Sequence, residues 1–224
     1  MMYIYSNYII EKHYELDKIT EGLNKIIDII NHLGFTHLLV KVIYDPSVTN
    51  LSDVIKLSNL IRRMYTNVYV LYHVKFIKNF DKKTARRILR NVANKINTHM
   101  DNCKLLSIDE EYLDILSVNE IKSYRIIEGH KLSYRNIAKT YSHNLFFEIY
   151  IDKIIRDIKT QSYILPRIKI LEGKNKVIIS QSTPVISRTE LPIIYSTLLD
   201  DEGLIYKEIY LRLNMLIEDV CKVP

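Results

Sequence analysis

The sequence predicts an α/β protein folded as a single TIM-like (β/α) barrel of mostly parallel strands. Three observations predict it. Short apolar runs rich in Ile, Val, Leu and Tyr alternate with stretches whose apolar residues recur at helical spacing, and the alternation repeats seven times. The length of 224 residues fits the range of about 200–250 residues over which α/β barrels form one domain. With five Gly and five Pro in the chain, no linker rich in those residues breaks it, so residues 1–224 are read as one domain. A flavodoxin-like open sheet stops after about five strands.

Each element follows from its pattern. Tyr3 to Ile10 is a first strand. Ile19, Leu23, Ile26, Ile27 and Ile30 recur at helical spacing, with Gly34 as a C-terminal stop. His37 to Tyr44 is a near-continuous apolar strand ended by Asp45-Pro46. Val54, Ile55, Leu60, Ile61 and Met64 line one face of the next helix. Val68 to Phe76 is a third strand, and Ala85, Ile88, Leu89, Val92, Ala93 and Ile96 mark a third helix. Leu105 to Ile108 is a short fourth strand, followed by a helical reading of Glu110 to Ile121, within which Asp114-Ile115-Leu116-Ser117 can also be read as a strand. Tyr124 to Ile127 is a fifth strand, and a helix spans about Ser133 to Tyr141. Strands at Leu145 to Tyr150 and Lys176 to Ser180 bracket a helical stretch that Pro166 must bend or split. An amphipathic helix carrying Ile209, Leu213, Leu216, Ile217 and Val220 closes the chain.

Charge points to an anionic partner. The chain has 32 basic and 26 acidic side chains, a net charge of +6 and a pI near 9.1. Between Lys75 and Lys95 lie eight basic residues and one acid, Asp81. Lys82, Arg86 and Arg90 stand four apart, as do Lys83 and Arg87, so they form one stripe opposite the apolar face. Like charges at that spacing cost a few tenths of a kcal/mol per pair, which phosphates would offset. A second basic region, Lys153 to Lys176, has seven basic residues against two acids and includes Arg156 and Lys176. Thr98 to Glu120 carries six acids against Lys104 and reads as an acidic side open to solvent or a basic partner. The 17 tyrosines include Tyr3, Tyr5, Tyr69 and Tyr72 at strand positions, where packing is the simpler role than base stacking.

Other chemistries lack their residues. The seven histidines are scattered in sequence, with only His37 and His73 on strands, which argues against a metal-dependent phosphoesterase. A Schiff-base enzyme needs a barrel lysine of lowered pKa. Lys41 and Lys75 are placed for it, but no partnering acid is evident. Gly22, Gly34, Gly129, Gly173 and Gly203 form no phosphate loop. Cys103 and Cys221 are read as isolated thiols. No run of about 18 apolar residues spans a membrane, and the first residues lack a signal-peptide pattern, so a cytoplasmic protein is expected.

The most informative stretch is Asn144 to Leu199: a strand Asn144-Leu-Phe-Phe-Glu-Ile-Tyr-Ile151, a basic helical run, a strand Asn175-Lys-Val-Ile-Ile-Ser180, a polar loop, and a helix from Glu190. In parallel α/β folds the carboxyl ends of strands carry the chemistry. That edge here offers Glu148, Ser180, Ser182 and Arg188. Hydroxyls and positive charge without a nucleophile–base pair fit a binding subunit better than a free-standing enzyme.

These residues resemble the thirty-kilodalton protein subunit of ribonuclease P from archaea and eukaryotes, protein component 3 in archaea. Phe147, Glu148, Ile149 and Tyr150 match its Phe-Glu-Ile-Tyr strand. Arg156 and Asp157 match an Arg-Asp pair in the following helix, and Asn175, Val177, Ile178, Ile179 and Ser180 match its Asn-x-Val-Ile-Ile-Ser strand. Arg188, Glu190, Leu191 and Pro192 match the next helix entry loosely. Gln181, Ser182 and Thr183 stand where the family places a second Ser and Gly-Ala. The resemblance covers roughly the last third to 40% of the chain. It implies a noncatalytic subunit assisting a catalytic RNA in removing the 5′ leader from precursor tRNA. It also implies a small protein partner (protein component 2), Mg²⁺ at the RNA, and no cofactor on this chain. The residues expected to contact RNA are Lys82, Lys83, Arg86, Arg87, Arg90, Arg156, Lys176, Ser180 and Arg188. The alternatives are a metal-dependent phosphoesterase on a related barrel and an unrelated α/β RNA- or protein-binding module.

Overall fold

A computed structural model of the protein describes residues 4–11, 15–32, 35–99, 103–129, 133–150, 166–167, 170, 177–180 and 214–221. Its elements in chain order are β1 (Ile4–Ile10), α1 (Leu16–His32), β2 (His37–Tyr44), α2 (Leu51–Met64), β3 (Val68–Val74) and α3 (Lys82–His99). They continue with β4 (Leu105–Asp109), a 3-10 turn (Glu110–Tyr112), α4 (Val118–Ile121), β5 (Ile126–Glu128), α5 (Tyr134–Ser142), β6 (Phe146–Tyr150) and β7 (Val177–Ser180). The seven strands form one sheet in sequential order, and every neighbouring pair is parallel. Crossovers between parallel strands are right-handed almost without exception, and in a sequentially ordered sheet that puts successive helices on the same face. The sheet curls into a half-barrel.

Alternation along the strands assigns the two faces. Leu38, Val40 and Val42 of β2, Val68, Val70, Tyr72 and Val74 of β3, Leu106 and Ile108 of β4, and Phe147 and Ile149 of β6 pack against the helices in the main core. The helices enter it through Leu23 and Ile30 of α1, Val54 and Ile61 of α2, and Leu89, Val92 and Ile96 of α3. Residues of the opposite parity, Leu39, Leu71, Leu105, Ile126 and Ile178, form a second apolar cluster with Leu216, Ile217 and Cys221 of the helical stretch 214–221.

Several expectations need correction. On α2, Leu60 and Met64 are exposed, and the buried face uses Leu51, Leu57 and Ser58 with Val54, Ile55 and Ile61. The expected helix over Glu110 to Ile121 is split, because Glu110 turns inward. Its carboxylate accepts from Ser133 N at 2.9 Å and Asn136 Nδ2 at 2.8 Å, anchoring the start of α5. Cys103 and Cys221 are joined as a disulfide across 118 residues, not left as isolated thiols. The cysteine count could not show that the last helix lies over the foot of β4. Among the described residues no helix is long and apolar enough to cross a membrane.

Local signals fix several ends. Asn50 caps α2 through Ser52 N, and Asp81 caps α3 through Lys83 N and Thr84 N. Asn144 has φ 56°, a left-handed position that asparagine tolerates. Leu145 N donates back to Thr140 O there, closing α5 and aiming the chain into β6.

Candidate functional site

The sheet face opposite α1, α2 and α3 is apolar toward the amino ends of its strands and polar toward their carboxyl ends. Lys41 of β2, His73 of β3, Ser107 and Asp109 of β4, Glu128 of β5, Glu148 and Tyr150 of β6, and Ser180 of β7 share the parity of the second cluster. Register brings them together: His73 pairs with Ser107, Asp109 with Glu128, Glu128 with Glu148, and Tyr150 with Ser180. This is the end of a parallel sheet where sites are built.

Lys41 is the hub. The residue is 4% exposed, and its ammonium donates to Glu148 Oε2, to the Tyr150 hydroxyl, and to Glu128 Oε2 at 3.1 Å. Ser180 Oγ donates to the other oxygen of Glu148 at 2.8 Å, and the Tyr150 hydroxyl lies 3.4 Å from Glu128 Oε2. Burial by itself drives the Lys41 pKa down, but Glu148, Tyr150 and Glu128 outweigh it and hold it above the ordinary lysine value. Burial, then the neighbouring Glu148 charge, pushes the Tyr150 hydroxyl up. These contacts favour the charged ammonium, which is not the form that adds to a carbonyl. The partnering acids that the sequence did not reveal lie 87 and 107 residues downstream.

Beside this hub sits His73, 1% exposed. Its Nδ1 is 2.8 Å from Ser107 Oγ, while Nε2 faces Asp109 Oδ1 at 3.3 Å and Glu128 Oε2 at 3.7 Å. Nε2 is buried and makes no hydrogen bond. These three side chains form a group able to hold a metal ion. The histidines scattered in the sequence thus include one gathered with two acids in space. Gly129 follows Glu128 at a close approach: a Cβ there would lie 2.9 Å from Phe147 Cε1 and 3.0 Å from Glu110 Oε2.

The basic stripe lies elsewhere. Lys82, Lys83, Arg86, Arg87 and Arg90 are all exposed on α3, while Ala85, Leu89 and Val92 on its opposite face are buried. Arg86 is not a free cation, since its Nε donates to the Glu120 carboxylate at 2.9 and 3.2 Å. Arg86 and Arg90 border a depression of about 350 Å³ between α3 and α4, shared with Asn94, Ser117, Asn119 and Ser123.

Ser180 ends β7 at the carboxyl edge of the sheet, as expected. It is 3% exposed, and its hydroxyl donates to the Glu148 carboxylate within the interior network. Arg156, Lys176 and Arg188 lie outside the described residues. The acidic side is also largely consumed within the chain. Asp109 faces His73, Glu110 anchors α5, Asp114 binds Lys139 at 2.5 Å, and Glu120 binds Arg86.

Comparison with protein-family models and with curated proteins finds no match. Of the interior residues, sequence reasoning found Glu148 and Ser180 but missed Lys41, His73, Asp109 and Glu128 as a group. A signal was present: each strand from β2 to β6 carries a polar or ionisable residue late in an otherwise apolar run, as in HLLVKVIY, VYVLYHV, LLSID, IIE and FFEIY.

Proposed function

We propose that this chain is a protein subunit of ribonuclease P, assisting the catalytic RNA in endonucleolytic removal of the 5′ leader from precursor tRNA. The observation that carries the RNA-binding part is the exposed cationic face of α3, opposite its buried stripe. The resemblance names the RNA. Its two matched strands, β6 and β7, are neighbours from Phe147–Val177 to Tyr150–Ser180, and the Ser180–Glu148 bond joins the matched motifs. On this reading residues 1–224 form one TIM-like barrel domain working in the cytoplasm. Protein component 2 is its partner, and Mg²⁺ acts at the RNA.

The cations of α3 would relieve phosphate crowding as the RNA compacts, an effect independent of base sequence. Arg87 and Arg90, both exposed, would take phosphates bidentately. Arg86 contributes less, since Glu120 already holds it. Replacing Arg86, Arg87 and Arg90 by Ala is expected to lower the slope of log K against log salt by about 2, at roughly 0.7–0.9 per lost contact. The affinity loss should be similar across RNA sequences. The holoenzyme lacking this chain should lose leader cleavage at low Mg²⁺. An unchanged salt slope in the triple variant would remove α3 as the RNA face, and unchanged low-Mg²⁺ cleavage without the chain would remove the function.

A further inference from the structure

We infer that His73, Asp109 and Glu128 form a divalent-cation site at the carboxyl ends of β3, β4 and β5. This goes beyond the ribonuclease P reading, stands independently of it, and departs from the expectation of no metal on this chain. His73 decides it. In the tautomer whose Nδ1–H donates to Ser107 Oγ, Nε2 turns a buried lone pair toward two carboxylate oxygens. A cation held between them makes that arrangement favourable. A proton on Nε2 would draw a carboxylate oxygen to about 2.7–2.9 Å, yet the separations are 3.3 and 3.7 Å and neither makes a hydrogen bond. They fit the edges of a coordination shell instead, since two ligands about 2.1 Å from an ion at a tetrahedral angle stand about 3.4 Å apart. All three ligand atoms lie within 4.8 Å of one another.

The surroundings suit a metal ligand set. Ser107 fixes the imidazole from its far nitrogen, as a partner behind a ligating histidine does. Lys41 and the Tyr150 hydroxyl steady Glu128 Oε2 from the other side, while Glu148 takes Lys41 at closer range and moderates its repulsion of an incoming ion. Asp109, with 29% of its side chain exposed, connects the group to solvent. One imidazole and two carboxylates favour a borderline ion such as Mn²⁺, Co²⁺ or Zn²⁺ over Ca²⁺ or Mg²⁺, which prefer all-oxygen shells.

Titrating Co²⁺ into the chelator-stripped full-length chain tests this by visible absorption. The expected result is saturation at one ion per chain, with affinity weakened at least 100-fold in His73→Gln and at least 10-fold in Asp109→Asn. Asp114→Asn, an acid outside the cluster, should bind as the parent does. Failure of the parent chain to bind Co²⁺ stoichiometrically overturns the site, as does unchanged affinity in Asp109→Asn. Should His73→Gln fail to fold, Asp109→Asn, altered at a partly exposed position, decides the matter alone. Neither overturning result touches the ribonuclease P reading, whose readouts are RNA affinity and leader cleavage.

Discussion

Lys41 and Arg87 carry the same charge in opposite settings. Lys41 is enclosed by Glu128 of β5 and by Glu148 and Tyr150 of β6, whereas Arg87 extends into solvent from α3. Enclosure makes each partner costly to remove, because a charge left alone in a low-dielectric interior has no water to replace what it lost. Exposure makes the α3 charges nearly interchangeable for folding and leaves them available to an outside anion. The interior thus constrains the fold, and the surface can be altered without disturbing it.

The largest effect that sharpens this contrast is expected for Lys41→Met. It strands two carboxylates and should cost about 3–5 kcal/mol of unfolding free energy in urea titration. Adding Glu148→Gln should return part of that loss, since the two side chains form one unit. Strictly additive losses would show that they do not. Next comes the tether over the apolar half of the same face. Reducing Cys103–Cys221 should release two thiols per chain to a thiol reagent and lower stability by about 2–4 kcal/mol. Two reactive thiols before reduction would break the assignment.

On the surface, the expected changes are small. Arg87→Ala with Arg90→Ala should shift stability by no more than about 0.5 kcal/mol. A loss of several kcal/mol would mean that α3 is structurally committed and the contrast false. The smallest effect concerns Asp114, whose pKa the Lys139 hydrogen bond holds below the ordinary aspartate value of 3.8. A carboxylate depressed on folding stabilises above its unfolded pKa, and that stabilisation disappears as pH falls through the folded value. Asp114→Asn should therefore flatten the stability profile below about pH 4 by a few tenths of a kcal/mol, since the pair is partly exposed.

The α3 stripe was legible because a helix brings residues three and four apart onto one face, so proximity follows from spacing alone. The split of the segment after Asp109 was not legible. Glu110 is held inward by Ser133 and Asn136, more than twenty residues away, and no local propensity encodes that. The α2 face was misjudged at Leu60 and Met64 because apolar residues flank both sides of its stripe, and only the packing chooses between them.

By itself the sequence determined the alternation of strands and helices, the extent of β2, the apolar seams and the cationic face of α3. All rest on interactions within a few residues, whose geometry the backbone period dictates. The tertiary structure alone decided that Lys41 meets Glu128 and Glu148, that His73 meets Asp109, and that Cys103 meets Cys221. Those pairs are set by the register between strands and by the path of a distant helix. A single polar residue in an apolar run does not name its partner, because the partner is chosen by which strand lies alongside and at what offset.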